Sequence, residues 1–186
     1  MKSRLITFIL MALALSTPVH ADRFERLFPE SFPVGGADLV RKGVSQLTVG
    51  YIFRVYVAAF YQLPDQGPND VLGDYPRHLE IEYLRGISRS AFMDAAEDML
   101  ARQHPPEVIE AIRPQIEAIN RLYTDVRKGD RYALTYLPGR GTELFFNGES
   151  QGVIPGEEFA RVYFSIWLGE RHPYQEFRDR LVGLRR

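Results

Sequence analysis

Tyr83 and Arg85, two residues apart, are the first candidates for chemistry in this sequence. They continue the alternation begun by Leu79 and Ile81, so on a strand all four side chains share one face while Glu80 and Glu82 take the other. An ionised group on a core-facing stripe must be paired or must meet solvent in a cleft. One reading makes Arg85 the anion-binding end of an apolar pocket, its guanidinium holding a carboxylate through two parallel hydrogen bonds. The other places Arg85 at a strand end, paired with a helix carboxylate such as Asp94 or Glu97. Tyr56 follows as a candidate, on the strand face it shares with Ala58 and Phe60. Its hydroxyl either meets a ligand or is satisfied within the core, as buried tyrosines usually are.

Other chemistries lack their residues. His78, His104 and His172 are scattered singly, without metal-ligand spacing. No phosphate-cradling loop, dinucleotide fingerprint or Gly-x-Ser-x-Gly elbow occurs. The chain has no cysteine, hence no disulfide and no thiol chemistry. Thus the sequence assigns no catalytic residue, no metal site and no cofactor. Its 23 Lys and Arg balance 24 Asp and Glu, and no basic block stands out, which argues against a nucleic-acid partner.

The elements that must position these side chains are legible in the turns. Residues 131–137, 142–146 and 151–154 are short apolar runs rich in strand formers. Pro138-Gly139-Arg140-Gly141 separates the first two, and Asn147-Gly148, suited to a two-residue type I′ turn, separates the next two. The pattern predicts a three-stranded antiparallel meander. A helix then starts at Glu157, with Phe159, Val162, Tyr163, Ile166 and Trp167 on one stripe and Gly169 suited to a left-handed C-terminal cap. Trp167 reads as a core residue of that stripe, facing the sheet, and Asn147 as a turn residue.

Upstream, 39–49 reads as a strand broken at Gly43, 51–61 as a strong strand, 64–76 as a Pro- and Gly-punctuated surface loop, and 77–85 as a further strand. Ser88 or Ser90 caps a helix running to about Gln103, with Phe92, Ala96, Met99 and Leu100 on its apolar stripe. A second helix spans about 107–123, and Pro114 should kink or split it. Residues 22–33 read as a mixed segment with one helical turn carrying Phe24, Leu27 and Phe28, and 174–181 as a short last helix. Strands, helices, strands and helices in that order imply an α+β domain, with helices on one face of an antiparallel sheet.

The first residues have a different character. Lys2 and Arg4 precede an apolar run, 5–15, too short to span a bilayer, and Val19-His20-Ala21 offers small residues at a cleavage site. The expectation is a signal peptide over 1–21 and a single exported domain over 22–186, with no later membrane span and a periplasmic or secreted location.

Several words of the sequence, in order, resemble the chalcone isomerase-like family in its bacterial secreted branch. They are Arg54-Val55-Tyr56-Val57-Ala58-Ala59-Phe60-Tyr61, Lys128-Gly129-Asp130, Tyr136-Leu137-Pro138-Gly139, Asn147-Gly148, Ile154-Pro155-Gly156-Glu157-Glu158-Phe159 and Ile166-Trp167-Leu168-Gly169. The resemblance covers about 32–183. It implies an open-faced β-sandwich, a large sheet under a helical layer, with an apolar ligand cleft between them. In the plant fatty-acid-binding branch, the tyrosine of the Val-Tyr word helps hold a carboxylate, which would be Tyr56 here. An arginine on the preceding strand assists it; that column falls at Thr48 in this chain, and only a shifted alignment would supply Arg41 instead.

The true isomerases of the family close a flavanone ring by attack of a phenolate on an enone, which calls for a cation or donors around the developing charge. Without an arginine at Thr48 that stabilisation is not evident. The leading expectation is therefore a non-catalytic exported protein that binds a small amphipathic carboxylate such as a fatty acid, through Tyr56, Tyr83, Arg85 and either Thr48 or Arg41. The alternatives are an intramolecular lyase of the isomerase type and an interaction module with a filled core. A cleft with a charged end favours the first, convergent donors around a flat slot the second, and no cleft the third.

Overall fold

The structure, a computed structural model, describes residues 27–50 and 52–185. The proposed leader and its cleavage site lie outside the described residues. Seven strands form one antiparallel sheet in chain order: β1 Ser31–Val34, β2 Ala37–Val49, β3 Phe53–Gln62, β4 Arg77–Tyr83, β5 Arg131–Leu137, β6 Gly141–Phe146 and β7 Glu149–Ile154. Every strand pairs with its chain neighbour, so the three-stranded meander is the last part of a longer one. β1 stands where the sequence suggested only a mixed segment; Leu27 and Phe28 lie in a turn before it, and Phe24 is outside the described residues.

Among the described residues five helices cover one face: α1 Arg89–Gln103, α2 Pro106–Ala111, α3 Arg113–Leu122, α4 Glu157–Leu168 and α5 Gln175–Leu181. Ser88 caps α1, its side chain accepting from the Ala91 N–H. The helix expected over 107–123 is split at Ile112, and Pro114 sits in the first turn of α3, where its missing N–H costs nothing. Asn147 and Gly148 both take positive φ, 50° and 85°, as a type I′ turn requires.

Gly169 departs from expectation. Its φ is −68°, not left-handed, so no turn geometry demands glycine there. The site is close-packed instead: a β-carbon would lie 2.3 Å from the side-chain oxygen of Gln103, whose amide nitrogen donates to the Ser165 carbonyl and which would have to shift.

Strand alternation gives the sheet two different faces. Ala58, Phe60, Leu79, Ile81, Leu134 and Leu144 point to the helices and pack with Phe159, Val162, Tyr163 and Phe164 of α4. Leu39, Val57, Ala59 and Tyr61 point away and are covered by Phe28 and by partly buried neighbours such as Phe32. On that outer side Arg131 bridges Glu80, at 2.8 Å, and Glu82. The loop over 64–76 is not purely superficial, since Val71 and Tyr75 are buried.

Candidate ligand-binding site

A cavity of about 460 Å³ lies between the sheet and the helical layer. That is within the range of about 300–1,000 Å³ usual for small-molecule sites. Its floor is Leu47 of β2, Tyr56 of β3, Leu79, Ile81 and Tyr83 of β4, and Tyr132 and Leu134 of β5. Its roof comes from Phe92, Ala96 and Met99 of α1 and from Tyr163, Ile166 and Trp167 of α4. Asn120 and Tyr123, at the end of α3, and His172 complete it. The exposed members of the lining mark the open side: Ala91, Ala95, Asp98 and Arg102 along one flank of α1, with Val49 and Tyr174.

The cavity exists because α1 faces the sheet with a small side chain. Ala96 stands where a leucine would fill the gap, Ala91 and Ala95 lie on the exposed flank beside it, and of the whole helix only Leu100 is fully buried. The stripe read from the sequence was right in position, but Phe92, Ala96 and Met99 line open space rather than close a core.

Aromatic rings dominate the interior. Tyr83 meets Tyr56 edge-on at 5.9 Å, Phe92 at 5.3 Å and Tyr132 at 6.2 Å between ring centroids. Edge-to-face contacts of this kind suit the ring quadrupoles and hold the floor rigid. The hydroxyls of Tyr123 and Tyr163 hydrogen-bond to each other at 3.2 Å. The Tyr132 hydroxyl accepts from the Thr124 N–H at 2.8 Å. Among the described residues neither the Tyr56 nor the Tyr83 hydroxyl has a hydrogen-bond partner within the protein.

The electrostatics are those of a neutral chamber. Burial raises Tyr56, Tyr83, Tyr123 and Tyr163 above the ordinary phenol range, so all four stay protonated donors. Burial also pushes His172 down to about 4, leaving its ring neutral near pH 7. Among the described lining residues the one guanidinium is Arg102, exposed at the mouth with Asp98 four residues before it.

The candidates from sequence therefore separate. Tyr56 and Tyr83 are cross-strand partners in the cavity floor. Arg85 is not with them: β4 ends at Tyr83, and the chain then bends toward α1, leaving Arg85 exposed with its guanidinium 5.7 Å from the Phe53 ring centroid. It does not pair with Asp94 or Glu97 either; Glu97 is taken by Arg113 at 2.6 Å. Thr48 follows a register shift that pairs Leu47 with Tyr56 and Thr48 with Arg54. Its hydroxyl lies 3.0 Å from the Gln46 amide nitrogen, and Gln46 pairs with Val57 of the outer face. Arg41 is opposite Tyr61, also outer-face, and donates to the Phe28 carbonyl. None of Arg85, Thr48 and Arg41 lines the cavity.

Sequence reasoning missed Trp167, Phe92, Met99, His172 and the phenols of Tyr123, Tyr132 and Tyr163 as lining. Trp167 is half-buried rather than a closed core residue. One signal was available: Ala96, a small residue within the apolar stripe of Phe92, Met99 and Leu100, announces missing volume.

Comparison with known proteins agrees with this geometry. A family model described as chalcone isomerase-like matches residues 25–183. No curated protein matches the sequence. The structure is similar to the crystal structure of a fatty-acid binding protein of Arabidopsis thaliana, with a TM-score of 0.62 over 84% of this chain and 91% of that one. Identity is 14%, so this likeness speaks to the fold. With the antiparallel sheet, the helical layer and a family match over most of its length, the chain belongs to the chalcone isomerase-like family.

Proposed function

We propose that this protein is a non-catalytic binding protein for a small amphipathic ligand of the fatty-acid type. The observation that carries the reading is the cavity itself: about 460 Å³, walled by apolar and aromatic side chains, with a few phenols inside and its charged groups at the rim. Each methylene removed from water there contributes roughly 0.8 kcal/mol, so an alkyl tail of several carbons is enough to drive binding. A fatty-acid binding protein shares the fold, which supports the same class of ligand for this chain.

The only tryptophan in the chain, Trp167, lies in the cavity wall and offers a direct test. Titration with a medium-chain fatty acid or its ester should change its fluorescence saturably. Ala96→Phe should fill the space under α1 and abolish the response while the thermal transition stays cooperative. A flat titration of the wild type would remove the binding reading.

An isomerase remains the second reading, favoured by the convergence of neutral phenol donors and opposed by the absence of a buried cation among the described lining residues. Cyclisation of a chalcone faster than in buffer would promote it. The export proposal stands on Lys2, Arg4, the apolar run that follows and the small residues Val19 and Ala21. It is checked by the N-terminal residue of the protein recovered from its host, expected to be Asp22.

A further inference from the structure

The Tyr83 hydroxyl is an unpartnered polar group deep in the molecule. The residue is 4% exposed and lies in the cavity floor. Its ring is packed edge-on against Tyr56, Phe92 and Tyr132, which fixes where the hydroxyl lies. Of the neighbouring phenols, Tyr123 and Tyr163 hydrogen-bond to each other and Tyr132 bonds the Thr124 backbone, while Tyr56 on the adjacent strand also faces the cavity. A phenol without a partner in the protein finds one in whatever fills the cavity it lines, water or ligand.

We infer that Tyr83 is the polar anchor of the cavity and that it donates to an uncharged oxygen of the ligand, the carbonyl of an ester, ketone, aldehyde or protonated acid. The inference rests on the binding function proposed above and names the ligand class for that site. A phenol O–H satisfies one carbonyl acceptor without a counter-charge. A carboxylate is a different matter. Taken into an apolar chamber, it needs a cation or a full set of hydrogen bonds. Arg102 and Asp98 are exposed at the mouth, Arg85 and Arg41 are off the lining, and the interior polar groups, the phenols, Asn120 and His172, carry no charge near pH 7. An ionised head group therefore stays out, and a fatty acid enters as the neutral acid.

Dodecanoic acid and methyl dodecanoate, titrated against the full chain by Trp167 fluorescence, test this. At pH 8 the ester should bind at least about tenfold tighter than the acid, and the acid should gain affinity as the pH falls toward 5 while the ester does not. With a carbonyl-labelled ester, the infrared carbonyl band should move to lower frequency in the complex, and Tyr83→Phe should return it to its unbonded position with about a tenfold loss of affinity. If the variant does not fold, the wild-type band and the acid-to-ester ratio still decide. Binding of both compounds with the acid equal or tighter at pH 8, or an unshifted ester carbonyl, overturns the anchor and leaves the binding function standing. Binding of neither removes both.

Discussion

A guanidinium does end the inward stripe of β4, but it is Arg77 and not Arg85. Arg77 shares the face of Leu79, Ile81 and Tyr83 at the opposite end of the strand and is fully buried. It lies 4.6 Å from the Tyr136 ring centroid and 4.8 Å from that of Phe164 and donates to the Gly73 carbonyl. Burial pushes its pKa down to about 10, still well above neutrality, so it remains charged and ties the 64–76 loop to the sheet. Among the described residues Arg85 has only its exposed contact with Phe53, and a cation–π contact of that sort is worth about 0.5–1 kcal/mol. Arg85→Met should accordingly shift stability by no more than ~1 kcal/mol in denaturant melts and leave ligand affinity unchanged. A marked drop in affinity would return Arg85 to the site.

At the scale of elements, the helical layer is attached unevenly. α4 is the anchor, buried along nearly its whole length, while α1 is half-buried over its small inward face. A helix with few buried contacts belongs to the low-stability part of a fold and is suited to bordering a ligand space. α5 closes the other end through an approach that only glycine permits. A β-carbon at Gly43, in the irregularity of β2, would lie 1.9 Å from the Arg180 carbonyl oxygen. Backbone cannot yield as a flexible side chain can, so Gly43→Ala should push α5 off β2 and cost about 1–3 kcal/mol, the usual range for overpacking. Chemical denaturation of that variant provides the check, and a change within ~0.5 kcal/mol would mean that α5 shifts freely.

For the molecule as a whole, acid sensitivity should come chiefly from two histidines on opposite sides of the sheet, with His104, also lowered by burial, adding to them. His78, on the outer side, stacks on Phe32 at 3.8 Å and hydrogen-bonds Thr135 at 2.8 Å; burial pushes it down to about 3. His172, at the cavity, is pushed down to about 4 by burial. Unfolded histidines protonate near pH 6.5, so below that value the unfolded state holds more protons than the folded one. Stability is then complete above about pH 6.5 and falls as the pH drops toward about 4, by up to roughly 1.4 kcal/mol per pH unit for each histidine. Urea melts between pH 7 and pH 5 measure the slope. His78→Phe, which keeps an aromatic ring against Phe32, should make it shallower by about one proton. An unchanged slope would show that His78 already protonates in the folded state.

The strands, their turns and the helix entries were legible in the sequence because they rest on local chemistry. Asn147-Gly148 needs only its own φ angles, Ser88 only the amide three residues on, and the alternation of β4 only a pleated backbone. Tyr56 and Tyr83 lie in the cavity floor as that alternation places them, since it fixes the face of a side chain wherever the strand continues. Arg85 was lost for the same reason: periodicity carries no notice of where a strand stops, and β4 stops at Tyr83. The bulges in β2 that displace Thr48, and the outward facing of Arg41, depend on pairing with β3, which is decided across the sheet. The void under α1, the unpartnered hydroxyl of Tyr83 and the neutrality of the chamber arise from side chains far apart in the chain meeting in a low-dielectric space. Only the tertiary structure could decide them, because volume and desolvation belong to the packed whole and to no single segment.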